Sequence, residues 1–265
     1  MQATGGMLLI HGAWEGSWIW APWLPELERR GWRAHAIDLP GNGAPGSPDA
    51  QAHASMQTYL AALEAVIARA PGPMVIVAHS GGGVAASQIA QLMPEKVACL
   101  VYIAGMMLPP GISYPELVRE NLKMIPGSAG ILPQLEWSDD LSITKVRPAA
   151  ALNLFVHDCA PEVARRAAVQ FRPQQESGRG LTAELTSDRF GRVPRIYIET
   201  LRDRAVLLQL QRKMQALVPG ATIKSIDSGH MPQLARPAEL ADIVCATLAD
   251  LGIEPGASAH AAGDR

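Results

Sequence analysis

The sequence has no closely spaced pair of cysteines. Its three, Cys99, Cys159 and Cys245, are odd in number and far apart. That argues against a disulfide framework or a zinc knuckle and for plain core or half-buried thiols in a reducing, cytoplasmic setting. No basic block stands out either: 23 Lys and Arg face 25 Asp and Glu, for a net charge of -2. No nucleic-acid footprint is therefore expected. No apolar run approaches the ~20 residues needed to span a bilayer, so no membrane association is expected. The opening MQATGGMLLIHG has no basic segment and only a very short apolar run, from which we expect no signal peptide. Internal repeats are absent as well.

What is present is a chain of 265 residues, 48% hydrophobic and 18% charged. Such a composition suits a packed globular protein. The length suits one large domain with an insertion.

Short apolar runs alternate with helical patterns. Met7 to Ile10, Arg33 to Ile37, Met74 to Ala78, Val97 to Ala104, Arg195 to Glu199 and Thr222 to Ile226 read as strands. Pro22 to Arg30, Ser55 to Ala70, Gly82 to Met93, Val206 to Leu217 and Ala238 to Leu251 read as helices, with Ser55 as a cap. Leu39 to Asp49, rich in Gly, Pro and Asn, reads as a loop. Continuous apolar strands between amphipathic helices indicate an α/β fold, a mostly parallel sheet of about six strands covered on both faces. The interval 108–189 holds several prolines and no clear strand, and reads as an inserted helical cap over the sheet edge. The core is then 1–107 with 190–255, and 256–265 reads as a flexible tail.

One segment carries chemistry. Val75 to Gly83, VIVAHSGGG, runs strand, sharp turn, helix, with Ser80 at the apex. This is the context of a nucleophile elbow, G-x-S-x-G, departing from it only by Ala78 at the first glycine. Its flanks must be small, and its serine sits at a helix N-terminus that favours developing negative charge. Serine needs a base, and the base an orienter. His230 follows the last strand and Asp203 follows the strand before it, so both loops reach the same sheet edge. The chain order Ser80, Asp203, His230 is that of an α/β-hydrolase; Glu199 and Asp158 compete as the acid. Oxyanion donors should be the N–H groups of Gly81 and Ala13. His11 reads as a hydrogen-bonder that pins the Ala13 loop. In the His157-Asp158-Cys159 run, Asp158 reads as a helix cap before Pro161 and Cys159 as packing. Trp14, Met106, Met107, Leu108, Trp137, Leu154, Phe155 and Met231 are candidate pocket residues, apolar and uncharged. Trp18, Trp20 and Trp23 read as core.

These residues resemble the α/β-hydrolase branch of plant carboxyl methylesterases, hydroxynitrile lyases and related bacterial esterases. The matching segments are HGAWEGSWIWAPWLPELERRGWRAHAIDLPGNG, AHSGGG, LFVHDCAPEVA, SDRFGRVPRIYIETLRD and SGHMPQLARP, spread over nearly the whole chain. The resemblance implies a six-stranded sheet with a cap, a Ser80–Asp203–His230 triad, no metal and no cofactor, and it admits a homodimer. Lyases of the rubber-tree type carry threonine where this chain has Gly12 and lysine where it has Met231. A lysine there would supply the cation that a departing cyanide needs, so the resemblance implies ester hydrolysis instead. The expected substrate is a small-molecule ester, neutral and fairly hydrophobic. Related bacterial enzymes take bulky esters such as pyrethroids or phthalates. The alternatives are a lyase acting on cyanohydrins and a non-catalytic small-ligand receptor on the same scaffold.

Overall fold

A computed structural model of the chain describes residues 2–42 and 51–256. The expected loop after Leu39 and the expected tail fall mostly outside that range. The strands are β1 (Gln2–Ala3), β2 (Met7–Ile10), β3 (Ala34–Ile37), β4 (Met74–His79), β5 (Val97–Ile103), β6 (Leu135–Trp137), β7 (Ile143–Val146), β8 (Gln174–Gln175), β9 (Arg195–Thr200), β10 (Ala221–Ile226) and β11 (Ile253–Glu254). Six of them form one sheet in the order β10-β9-β5-β4-β2-β3, and every pairing in it is parallel. A short parallel pair, β1 with β11, joins Gln2–Ala3 to Ile253–Glu254.

The central strands are buried on both faces, as continuous apolar runs require. Alternate side chains serve opposite layers. Met7, Leu9, Val75 and Val77 pack with Trp20, Trp23, Leu240 and Val244 on one side. Leu8, Ile10, Ile76 and Ala78 pack with Leu63, Ile67, Ala86 and Ile89 on the other. Trp20 ends the 3-10 turn Ser17–Trp20 and Trp23 precedes helix Leu24–Arg29; the other residues come from helices Pro237–Asp250, Met56–Ile67 and Gly82–Leu92. Met56–Ile67 starts where expected: Ser55 accepts from the Thr58 amide, and the Thr58 hydroxyl accepts from the Ser55 amide.

The interval 108–189 differs from its reading as purely helical. It carries helices Tyr114–Asn121, Pro148–Leu154, Pro161–Ala168 and Glu176–Arg179. It also carries a three-stranded antiparallel sheet, β6-β7-β8. Its strands, LEW, ITKV and QQ, are partly polar and form no continuous apolar run in sequence. Asp158 is no helix cap either. The N-cap of Pro161–Ala168 is Ala160, with no side-chain bond.

Candidate active site

The elbow is built by close approach of backbones. β4 ends at His79 and the next helix starts at Gly82, so Ser80 sits at a left-handed φ of 47°. For a non-glycine residue that conformation costs roughly 1–2 kcal/mol. The surrounding glycines make room for it. A Cβ on Gly82 would lie 2.5 Å from the His11 carbonyl oxygen, and one on Gly83 2.8 Å from the Met106 backbone. The Ser80 amide donates to Ile103 O at 3.2 Å, while the Ser80 carbonyl accepts from Met106 N at 2.9 Å. The turn is thereby locked onto the end of β5.

Two loops flank it. A Cβ on Gly81 would lie 3.4 Å from Ala13 N, so the two amides expected to bind an oxyanion are neighbours. Among the described residues neither amide donates to a protein acceptor. His11 pins the Ala13 loop as expected. Its Nδ1 donates to Gly12 O at 2.8 Å and its Nε2 accepts from Leu39 N at 2.9 Å. Burial holds its pKa below the usual histidine value, in keeping with this neutral tautomer.

Asp203 and His230 come together on the loops after β9 and β10. His230 Nδ1 donates to Asp203 Oδ2 at 2.7 Å. Oδ2 also accepts from Thr200 Oγ1 at 2.9 Å and Gln211 Nε2 at 3.2 Å, and Oδ1 from the amides of Ala205 and Val206, each at 2.8 Å. The carboxylate is thus fully coordinated and fixed. The other two acids are engaged elsewhere. Glu199 pairs with Arg212 and Ser225. Asp158 accepts from Ser228 Oγ at 2.8 Å and Gly229 N at 2.7 Å, so it clasps the turn leading to His230 from the cap. His230 Nε2 is buried and has no hydrogen-bond partner among the described residues, Ser80 Oγ included.

A cavity of about 700 Å³, its open mouth included, lies over Ser80. Trp14, Met106 and Phe155 line it, as do Ala13 and Gly81. The Phe155 ring stands 5.2 Å from that of His230. The other pocket expectations need correction. Met107, Leu108 and Leu154 are buried behind the wall. Trp137 is 44% exposed on β6 and borders a separate shallow depression. Met231 is fully buried in the core. Ile131, Leu132 and Val206 supply apolar wall in their place. Tyr59, Gln174 and Arg179 add a polar end that the sequence reading lacked. Arg179 is paired with Glu176 and lies 5.9 Å from the Trp14 ring centre, so the polar end is not a bare charge. A run such as QQESGRG gives no sequence signal that it faces a pocket.

Two further residues escaped the sequence reading. Glu15 and His79 are fully buried, and His79 Nδ1 stands 2.8 Å from Glu15 Oε2. Glu15 Oε2 accepts from Gly12 N at 2.7 Å, and His79 Nε2 lies 2.9 Å from His230 O. Glu15, His79 and His230 each offer a ligand atom within 4.8 Å of the others. Both nitrogens of His79 are already hydrogen-bonded, so this is a side-chain network and not an open metal site. Burial pushes the thiols of Cys99 and Cys159 up to about 12 and that of Cys245 to about 11.

A sequence model described as the alpha/beta hydrolase family matches residues 7–243. A pyrethroid hydrolase of Sphingobium wenxiniae is 31% identical over 97% of this chain and 92% of its own length. Methylesterase 7 of Arabidopsis thaliana is 28% identical over 92% of this chain and 95% of its own. The crystal structure of a pyrethroid hydrolase from Sphingobium faniae superimposes with a TM-score of 0.82 at 29% identity, covering 94% of this chain and 98% of that one.

Proposed function

The chain belongs to the alpha/beta hydrolase family, and from that premise we propose that it is a serine carboxylesterase acting through an acyl-enzyme on Ser80. The observation that carries the reading is the buried Asp203–His230 bond of 2.7 Å, which leaves His230 Nε2 without a partner. With Nδ1 donating to Asp203, Nε2 is the basic nitrogen. It takes the proton as Ser80 Oγ attacks the ester carbonyl, the contact closing when substrate binds. The N–H groups of Ala13 and Gly81 hold the oxyanion. His230 then protonates the departing alcohol and activates the water that releases the acid. Asp203 fixes the imidazole and stabilises its cation.

Trp14, Met106, Ile131, Leu132, Phe155 and Val206 favour a neutral, hydrophobic ester, with room for a bulky or aromatic group. The Sphingobium wenxiniae relative, a pyrethroid hydrolase, fits that preference. Gly12 argues against a lyase. A Cβ there would lie 2.7 Å from Ser80 Cβ, so threonine does not fit beside this elbow. Met231 argues the same way. Its site is apolar and closed, and a lysine ammonium there would be buried without a partner. No helix among the described residues is long and apolar enough to cross a membrane. Three widely spaced cysteines support a reducing, cytoplasmic setting.

The test is hydrolysis of short and medium p-nitrophenyl esters by wild type and by Ser80→Ala. Turnover falling by about 10⁴-fold or more in the variant is expected. Equal turnover in both proteins, or none in the wild type, sinks the mechanism.

A further inference from the structure

Glu15 and His79 take no part in the mechanism above, yet they touch three of its components. His79 immediately precedes Ser80 on β4. Its Nε2 meets the backbone carbonyl of His230 at 2.9 Å, and the two rings stand 4.6 Å apart. Its Nδ1 meets Glu15 Oε2 at 2.8 Å, and that same oxygen accepts from Gly12 N, next to Ala13, at 2.7 Å. One chain of hydrogen bonds therefore runs from the oxyanion loop, beneath the elbow, to the catalytic histidine. Both side chains are fully buried.

We propose that Glu15 and His79 form a buried carboxylate–imidazolium pair that positions His230 and the oxyanion loop against each other for ester hydrolysis. His79 Nε2 faces a carbonyl, which can only accept, so Nε2 carries a proton. Nδ1 stands 2.8 Å from Glu15 Oε2, which also accepts from the Gly12 amide; with Glu15 ionised that oxygen accepts from Nδ1 as well, so in the proposed pair both ring nitrogens carry protons. The energetics agree in direction. Burial penalises the His79 cation, but the Glu15 charge and hydrogen bond, the His230 carbonyl and the more distant Asp203 outweigh it and raise its pKa. Burial likewise opposes ionised Glu15, and His79, His230 and the Gly12 amide outweigh that and lower its pKa. Trp20, whose ring lies 6.4 Å from that of His79, adds no charge. These are positioning residues: neither lines the cavity.

The inference rests on the esterase reading but is tested partly without it. In full-length wild type and in Ser80→Ala, proton NMR of nitrogen-labelled histidine should show two ring N–H signals from His79, persisting between about pH 5 and 8. Glu15→Gln should remove one of them. A single His79 N–H in the wild type would mean a neutral pair and overturn the proposal, whether or not any ester is turned over. With p-nitrophenyl butyrate, Glu15→Gln and His79→Gln should each lower kcat by about 10- to 100-fold with KM within about threefold. The double variant should lose no more than the worse single one, because both act through one chain. Wild-type kcat in both single variants, or losses that multiply, would refute the coupling. Absence of turnover in the wild type would strike at the esterase reading and leave the NMR result standing.

Discussion

Gly12 shows how much one missing methyl group decides. Its amide is held by Glu15, and an added Cβ would press on Ser80 Cβ at 2.7 Å and on Glu15 Oε2 at 2.9 Å. Neither neighbour can yield, one being the strained elbow and the other a buried acid. Gly12→Ala is expected to lower kcat by about 100-fold with a modest rise in KM, because the oxyanion loop moves away from the nucleophile. Steady-state kinetics on a p-nitrophenyl ester reads the effect, and near-wild-type kcat would show that the loop relaxes freely. The Glu15–His79 pair gives a pH prediction with a definite sign. The pKa of Glu15 is lowered, so its contribution is complete above the ordinary carboxyl value and lost as pH falls. That of His79 is raised, so its contribution is complete below the ordinary histidine value and lost as pH rises through the folded one. The pair stabilises most between about pH 4.5 and 6.5. Across that window wild type should exceed Glu15→Gln in Tm by its widest margin, and melting curves over a pH series would expose a flat difference. The proposed triad Ser80, Asp203 and His230 can be named from sequence because motif, loop position and chain order all point to it, and the structure pairs Asp203 with His230. Glu15 and His79 were not. His79 fills the unconstrained position of the elbow pattern, Glu15 lies on the loop after β2, and only folding makes them a pair.

Between elements, the cap and the core are held together at Asp158. This acid lies between helices Pro148–Leu154 and Pro161–Ala168, and it grips Ser228 Oγ and Gly229 N on the loop that delivers His230. Gly229 has no room for a side chain there, since a Cβ would lie 2.6 Å from both Asp158 Oδ1 and His157 Cε1. Removing the carboxylate leaves a buried amide and hydroxyl without an acceptor. Asp158→Ala is expected to cost about 2–4 kcal/mol of stability and to lower kcat through a loosened His230 loop. Urea unfolding and kinetics on the same sample measure the two, and a loss below about 0.5 kcal/mol would show that water replaces the carboxylate without penalty. Sequence reading recovered the six strands of the main sheet: the four central ones are buried runs, and the partly buried edge strands β3 and β10 show by their place between turns and helices. It missed β6, β7 and β8 because these short strands, LEW, ITKV and QQ, are partly polar and partly exposed and form no continuous apolar run. It also placed Asp158 as a cap on the strength of the following Pro161, a local inference that a contact 70 residues away overrides.

At the scale of the whole molecule, Trp14 ties the two layers at the cavity. It sits at a left-handed φ of 62°, its indole N–H donates to Thr144 on β7 at 3.0 Å, and its carbonyl accepts from Arg172 N at 2.7 Å. Gln174 on β8 accepts from the Trp14 amide at 3.3 Å and from Asn42 at 2.8 Å. The cap sheet is therefore fastened to the oxyanion loop, so a change on the cavity wall away from that fastening and from Asp158 can shape the substrate space without moving the chemistry. That division makes acyl size separable from catalysis. Ala129 and Ile131 are cap residues on the cavity wall, far in sequence from the elbow and both oxyanion donors. Ala129→Phe adds a ring to the cavity wall over Ser80. A short acyl chain still fits beside it, and a long one does not. The variant is expected to hydrolyse p-nitrophenyl acetate within about threefold of wild type and p-nitrophenyl octanoate about 30-fold more slowly in kcat/KM. If both substrates slow equally, the cap and the catalytic loops move as one body and size selection lies elsewhere on the wall.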